Sequence, residues 1–137
     1  MSVEESHSFT IKGKNALTEW STTEPFPTGS VRLGPENRHF YVSAFHQLHC
    51  LRIMRTMLEG PQEIWSDEHM HHCLNYLRQM ILCNPDLTLE PADVLQRDFD
   101  TQRFGSLHIC RDYVTLYDDV KENNLQWQIS KVNMTTS

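Results

Sequence analysis

Residues 41–85 read YVSAFHQLHCLRIMRTMLEGPQEIWSDEHMHHCLNYLRQMILCNP, and this stretch decides the fold. Two pentapeptides in it, HQLHC (46–50) and HMHHC (69–73), share the pattern His-x-x-His-Cys, the second starting 23 residues after the first. On an α-helix, positions i, i+3 and i+4 lie on one face, so each pentapeptide presents two imidazoles and one thiol in the same direction. The stripe Val42, Phe45, His46, His49, Cys50, Ile53 and Met57 predicts a helix over residues 41–59. Gly60 and Pro61 supply its stop. A second helix starts near Ser66 and Asp67, with an N-cap hydroxyl and acid in the first turn, and ends at Asn84-Pro85. Its stripe is His69, His72, Cys73, Tyr76, Leu77, Met80 and Cys83. Packed face to face, the two helices bring four imidazoles and two sulfurs together, as a metal site, as disulfide-braced helices with buried histidines, or as both.

Outward from this pair the pattern weakens. Cys110 opens a third predicted helix with stripe Tyr113, Leu116, Tyr117 and Val120, ending at Asn123-Asn124. Residues 86–107 read as loop with room for a short strand or a turn of helix. Residues 1–40 form a mostly extended or irregular arm, broken by Pro25, Pro27, Gly29, Gly34 and Pro35, with room for short strands such as residues 8–11. Phe9, Ile11, Leu17, Trp20 and Phe26 are its expected anchors onto the body. The body runs over residues 41–127, with Leu125 and Trp127 docking, and residues 128–137 form a fraying tail. The expected fold is therefore mainly α, one small bundle of about three core helices with an extended N-terminal arm and short strands at most.

At 137 residues the chain can bury one core without a partner. A formal charge of −6 and the lack of a basic stripe argue against a nucleic-acid partner. No apolar run approaches the roughly 20 residues that span a bilayer, and MSVEESHSFT at the start is not a signal-like segment. The sequence as written reads as a soluble chain or as the soluble part of an anchored one. Cys50, Cys73, Cys83 and Cys110 allow two disulfides in three connectivities, and an even number near helix ends fits disulfides better than ligands. One sequon, Asn133-Met-Thr135, gives slight support to a secretory route.

An imidazole in an apolar stripe loses water and must find a hydrogen bond or a metal. One such histidine is usually a satisfied core residue; four at matched spacing on two helices are harder to explain that way. An imidazole-dominated donor set suits copper, zinc or iron rather than magnesium or calcium. His46, His49, His69 and His72 are thus the candidate ligands. His108, in HICRD (108–112), is a candidate fifth imidazole, with Asp112 a candidate orienter of a ligand ring. His71 should miss the shared face, and His39 and His7 are weaker still. Tyr41 and Tyr76 stand near the motifs as donors or as core, and Arg78 reads as a solvated guanidinium before it reads as a substrate anchor. No phosphate loop, nucleophile elbow or paired C-x-x-C is present.

Three segments in order, YVSAFHQLHCL (41–51), HCLNYLRQ (72–79) followed by Cys83, and HICRD (108–112), resemble the UstYa-like family of fungal secondary metabolism. The resemblance covers about residues 26–127. It implies two His-x-x-His-Cys motifs in a biosynthetic oxidase, with copper the expected metal and zinc or iron as alternatives. It also implies a peptide or small metabolite as substrate, dioxygen as oxidant, and oxidative cyclisation, hydroxylation, chlorination or desaturation as the reaction. Carried over by position, the family's motif histidines fall on His46, His49, His69 and His72, and its third segment on His108. Many members carry an amino-terminal membrane anchor, which this sequence lacks as written; a trimmed anchor would imply a secretory lumen.

Two further readings stay open. In a metal-free cyclase, isomerase or lyase, one motif histidine would be general base and another general acid, drawn from His46, His49, His72 and His108 with Asp112 in support. In a structural zinc domain, stripping the metal would unfold the chain.

Overall fold

The computed structural model describes residues 2–4, 6–25, 29–60, 66–89, 98, 101 and 104–135. In chain order the elements are β1 (Ser2–Glu4), α1 (Ala16–Ser21), β2 (Ser30–Leu33), β3 (Arg38–Tyr41), α2 (Ser43–Glu59), α3 (Asp67–Cys83), β4 (Phe104–Leu107) and α4 (Tyr113–Thr135). The mainly helical architecture expected from the sequence is what forms, with two small antiparallel sheets added: β1 pairs with β4, and β2 with β3.

The two motif helices form where periodicity places them. α2 starts after Val42, whose backbone is still extended, and stops at Gly60, at φ 157. α3 is capped by Ser66, whose Oγ accepts from the His69 amide at 3.3 Å, with Asp67 and Glu68 in the positive first turn. The helices run antiparallel around a small core of Cys50, Ile53 and Cys73, flanked by Tyr76 and Leu77. Phe45, fully buried, continues the contact to α4 through the rings of Tyr113 and Tyr117, at centroid distances of 5.7 and 6.2 Å.

Between β2 and β3 lies a hairpin whose turn uses positive φ at Gly34 and Asn37. Gly29, at φ 59, delivers the hairpin onto α2: a Cβ there would overlap the Phe45 side chain, so only glycine fits. The arm contributes a short helix, α1, that the sequence did not announce. Residues 8–11 form no strand; they bend back over α1, with Phe9 edge-on to Trp20 at 5.8 Å and Trp20 Nε1 donating to the Thr10 carbonyl. Leu17, Phe9 and Ile11 are exposed, so the arm is anchored instead by buried Ala16, Glu24 and Pro25 and by Arg55 Nε donating to the Ile11 carbonyl at 2.7 Å. Phe26 lies outside the described residues.

The third helix differs most from expectation. It begins at Tyr113 rather than Cys110, because Asp112 takes the cap, its Oδ1 accepting from the Thr115 amide at 3.1 Å. It also passes through Asn123-Asn124 without stopping and reaches Thr135, so residues 128–135 continue a helix and do not form a tail. Those asparagines instead stitch α4 to strand β2. Asn123 accepts from the Arg32 amide at 2.7 Å and donates to the Arg32 carbonyl at 3.0 Å, and Asn124 Nδ2 donates to the Ser30 carbonyl at 2.9 Å. Two side-chain amides thereby satisfy strand-edge backbone that would otherwise need a third strand.

Candidate metal centre

The antiparallel packing of α2 on α3 turns two copies of one motif into a closed ring of imidazoles. His46 faces His72 at a centroid distance of 5.7 Å, and His49 faces His69 at 6.1 Å. Within each helix the rings stand 6.3 Å apart, for both His46–His49 and His69–His72. The first histidine of each motif thus meets the second histidine of the other, and Cys50 meets Cys73. That is the reciprocity of a local two-fold axis between the helices. The repeat extends past the motif: at the same 23-residue offset Ser43 matches Ser66, Leu51 matches Leu74, Arg55 matches Arg78 and Met57 matches Met80.

Below the ring the two thiols are fully buried. Burial first, and then its hydrogen bond to Cys73, pushes the Cys50 thiol up to about 12, so it stays protonated at neutral pH. All of Cys50, Cys73, Cys83 and Cys110 are free thiols in this structure, the last two exposed; the expected disulfides are not formed.

His46, His49 and His69 are half-buried and His72 is exposed, so the ring forms the floor of an open face instead of lying inside an apolar stripe. Burial, and then the neighbouring His72, His49 and His69, lower the pKa of His46. A neutral imidazole is the form that ligates metal or accepts a proton. Among the described residues, no group of three or more His, Cys, Asp or Glu side chains closes about one point as it stands. The donor set nevertheless suits a nitrogen-preferring metal: four imidazoles on one ring, with no carboxylate among them.

The ends of the ring differ. Beside His46, Tyr76 lies at 4.3 Å between centroids, its hydroxyl 2.8 Å from Ser43 Oγ, and Tyr41 lies at 6.1 Å. Beside His49 sits a charged pair the sequence reading missed: Arg52 Nη2 lies 2.6 Å from Glu24 Oε1 and 3.2 Å from His49 Nδ1. Arg52 follows the first motif at a position occupied by Asn75 in the repeat, a break in symmetry visible in the sequence. Glu24 comes from the proline-rich arm and carries no sequence signal.

His108 and Asp112 have partners of their own. His108 Nδ1 is 2.5 Å from Asp86 Oδ2, an imidazole–carboxylate pair. Hydrogen bonds from Thr88, and then from His108, hold the Asp86 carboxyl well below the usual range. Asp112 spends both oxygens on Thr115, capping α4 instead of orienting a ligand ring. His71 is exposed on α3, as its place around the helix implies, and exposed Arg78 is held by Asn75 Oδ1 at 2.8 Å.

The family model for the mycotoxin biosynthesis protein UstYa matches residues 15–130. The chain is 40% identical over 80 residues to the UstYa family oxidase phomYb of Diaporthe leptostromiformis, covering 56% of this chain and 32% of that protein. To the oxidase ustYa of Aspergillus flavus it is 34% identical over 89 residues, 62% of this chain and 42% of that one. To the hydroxylase cctR of Talaromyces islandicus it is 27% identical over 114 residues, 77% of this chain and 42% of that one. The chain thus spans about a third to two fifths of the length of these relatives. No solved structure matches, and no helix among the described residues is long and apolar enough to cross a membrane. On the strength of the match over residues 15–130, the chain belongs to the UstYa family of mycotoxin biosynthesis proteins.

Proposed function

We propose that this chain is the metal-binding part of an oxidase of fungal secondary metabolism, with His46, His49, His69 and His72 holding copper. The observation that carries the reading is the closed ring of imidazoles, with edges of 5.7 to 6.3 Å, formed by two copies of one motif. The relatives named as oxidases and a hydroxylase give the reaction class, and oxidation of a peptide or small metabolite by dioxygen fits their names.

Ligand chemistry favours copper over the alternatives. Non-haem iron oxygenases use two histidines and a carboxylate, whereas the carboxylate described beside the ring, Glu24, is already paired with Arg52. Zinc suits imidazoles but has no redox chemistry. Copper binds nitrogen donors more tightly than either. Metal–imidazole bonds are about 2.0–2.1 Å, shorter than the present ring spacing accommodates, so a bound ion would draw the rings inward. Bound there, copper would supply one-electron oxidation of the substrate.

The protein's own residues do the rest. His46 enters as a neutral ligand because burial and its neighbours hold its pKa down. The thiols of Cys50 and Cys73 pack the helix seam, and the proton held by Cys50 keeps that sulfur from competing for the ion. Tyr76, tied to Ser43, fixes the wall beside His46, and the exposed edge at His72 leaves the ring accessible to substrate.

A metal-free cyclase, isomerase or lyase keeps one observation in its favour, the His108–Asp86 pair, an imidazole–carboxylate unit able to move a proton. Elemental mass spectrometry separates the readings. Protein loaded with copper, zinc or iron and desalted should retain copper, and His46→Ala and His72→Ala should lose it. A parent chain with no stoichiometric metal would sink the oxidase reading and favour acid–base chemistry.

A further inference from the structure

The ring is two-fold in its donors but not in its support, and the unsupported symmetry has a chemical consequence. Glu24 is 4% exposed and reaches α2 from the arm. Its Oε1 forms an ion pair with Arg52 Nη2 at 2.6 Å and lies 3.8 Å from His49 Nδ1, yet both Oε1 and Oε2 are buried with no hydrogen bond among the described residues. A buried carboxylate oxygen without a donor is costly. Something at this place must supply one.

Arg52 Nη2 lies 3.2 Å from the same His49 nitrogen. A guanidinium only donates, so Nδ1 accepts and the proton of the neutral ring sits on Nε2. In that tautomer Nε2 cannot bind a metal. With Nδ1 turned toward Arg52 and Glu24, Nε2 is the nitrogen by which His49 would join the other three rings. Ligation therefore requires the ring proton on Nδ1, and a proton there needs an acceptor. Glu24 is the acceptor within a small side-chain movement.

Resting on the copper reading above, we infer that Glu24 is a positioning residue for the metal centre. It accepts the Nδ1 proton of His49 in the loaded protein, while Arg52 holds the metal-free ring in the opposite tautomer. Carboxylate partners of this kind fix a ligand's tautomer and raise its basicity, and their removal costs about 10–100-fold in metal affinity. Loading then exchanges one hydrogen bond for another at His49: the Arg52 bond to Nδ1 is given up and the Glu24 bond from Nδ1 is made. Glu24 comes from the arm and lies 3.8 Å from His49 Nδ1, so the arm acts on the ligand state of His49.

The test is copper(II) affinity, measured by competition with a chromophoric chelator, beside thermal stability of the metal-free proteins. Glu24→Gln keeps the shape but loses the charge, and should bind copper about tenfold more weakly. Glu24→Met combined with Arg52→Met replaces the ion pair by apolar chains of similar length, a change that buried pairs tolerate. It should fold as the parent does and bind up to about a hundredfold more weakly. Arg52→Gln, which frees Nδ1 from its competing donor, should bind no more weakly than the parent.

A purely structural ion pair predicts otherwise: Glu24→Gln and Arg52→Gln would weaken binding alike, in step with lost stability. That result, or parental affinity in Glu24→Gln and in the double variant, overturns the inference and leaves the four-histidine site standing. Failure of the parent to take up copper overturns the site and the inference with it.

Discussion

The two ends of the imidazole ring are built from the same sequence and finished differently. At one end His46 and His72 meet beside Tyr76 and Ser43, an aromatic and hydroxyl wall. At the other, His49 and His69 meet beside the ion pair of buried Glu24 and half-buried Arg52. Duplication supplies the donors, because antiparallel packing pairs the first histidine of each copy with the second of the other. Residues outside the repeat supply the differences, and these decide how each donor is oriented. The shared part should tolerate nothing, and the unshared part should tune.

The largest expected effect tests the shared part. His46→Ala and His69→Ala occupy equivalent places in the two motifs, and each should abolish stoichiometric copper binding. Metal analysis of both variants checks this; a large effect in one and none in the other would break the two-fold account of the donors.

The second prediction sharpens the difference between the ends. Tyr76→Phe removes one partly exposed hydroxyl contact, worth about 0.5–1.5 kcal/mol. It should leave copper affinity within about threefold of the parent, far from the Glu24 variants, whose partner contacts a ligand directly. An equal loss at both ends, read by the same chelator competition, would make the asymmetry structural decoration.

A third prediction concerns what carries the ring. Phe45 locks α2 to α4 and leaves no room for a side chain at position 29. Phe45→Ala should cost about 3–5 kcal/mol in unfolding free energy. Gly29→Ala, which meets both a positive φ and the Phe45 ring, should cost about 1–3 kcal/mol. Denaturant unfolding measures both, and a neutral Gly29→Ala would contradict the described approach of the hairpin.

The smallest effect is on pH. The pKa of His46 is lowered in the fold, so between that value and the ordinary 6.5 the unfolded chain binds the extra proton. This group's contribution to stability is complete above about pH 6.5 and declines as pH falls toward the depressed value. Metal-free protein should lose melting temperature over that fall, and His46→Gln should lose less. An equal loss in both would assign the acid sensitivity to other groups.

Much of the shared part was legible in the sequence. Apolar periodicity, the Gly60 stop and the Ser66 cap place α2 and α3 almost to the residue, and the matched spacing of His46, His49, His69 and His72 gives the ring. The unshared part was not, for physical reasons. Asn123 and Asn124 look like a helix end, but their amides serve strand β2, more than 90 residues away in the chain. Nothing in the segment 108–112 announces that His108 pairs with Asp86, 22 residues earlier, or that Asp112 caps a helix. Glu24 lies in an aperiodic arm, and only tertiary packing brings it to His49. The expected cysteine pairing also failed to form, since Cys50 and Cys73 serve the seam as thiols.

X-ray absorption at the copper edge of the loaded protein tests the central claim most directly, because it distinguishes nitrogen from sulfur ligands. Four imidazoles and two thiols meet at this seam, and the Cys50 thiol, pushed up to about 12, must give up a proton before it can ligate. The account predicts a copper shell of imidazole nitrogen with no sulfur. Sulfur scattering from Cys50 or Cys73, or a protein that leaves copper in solution, would contradict it.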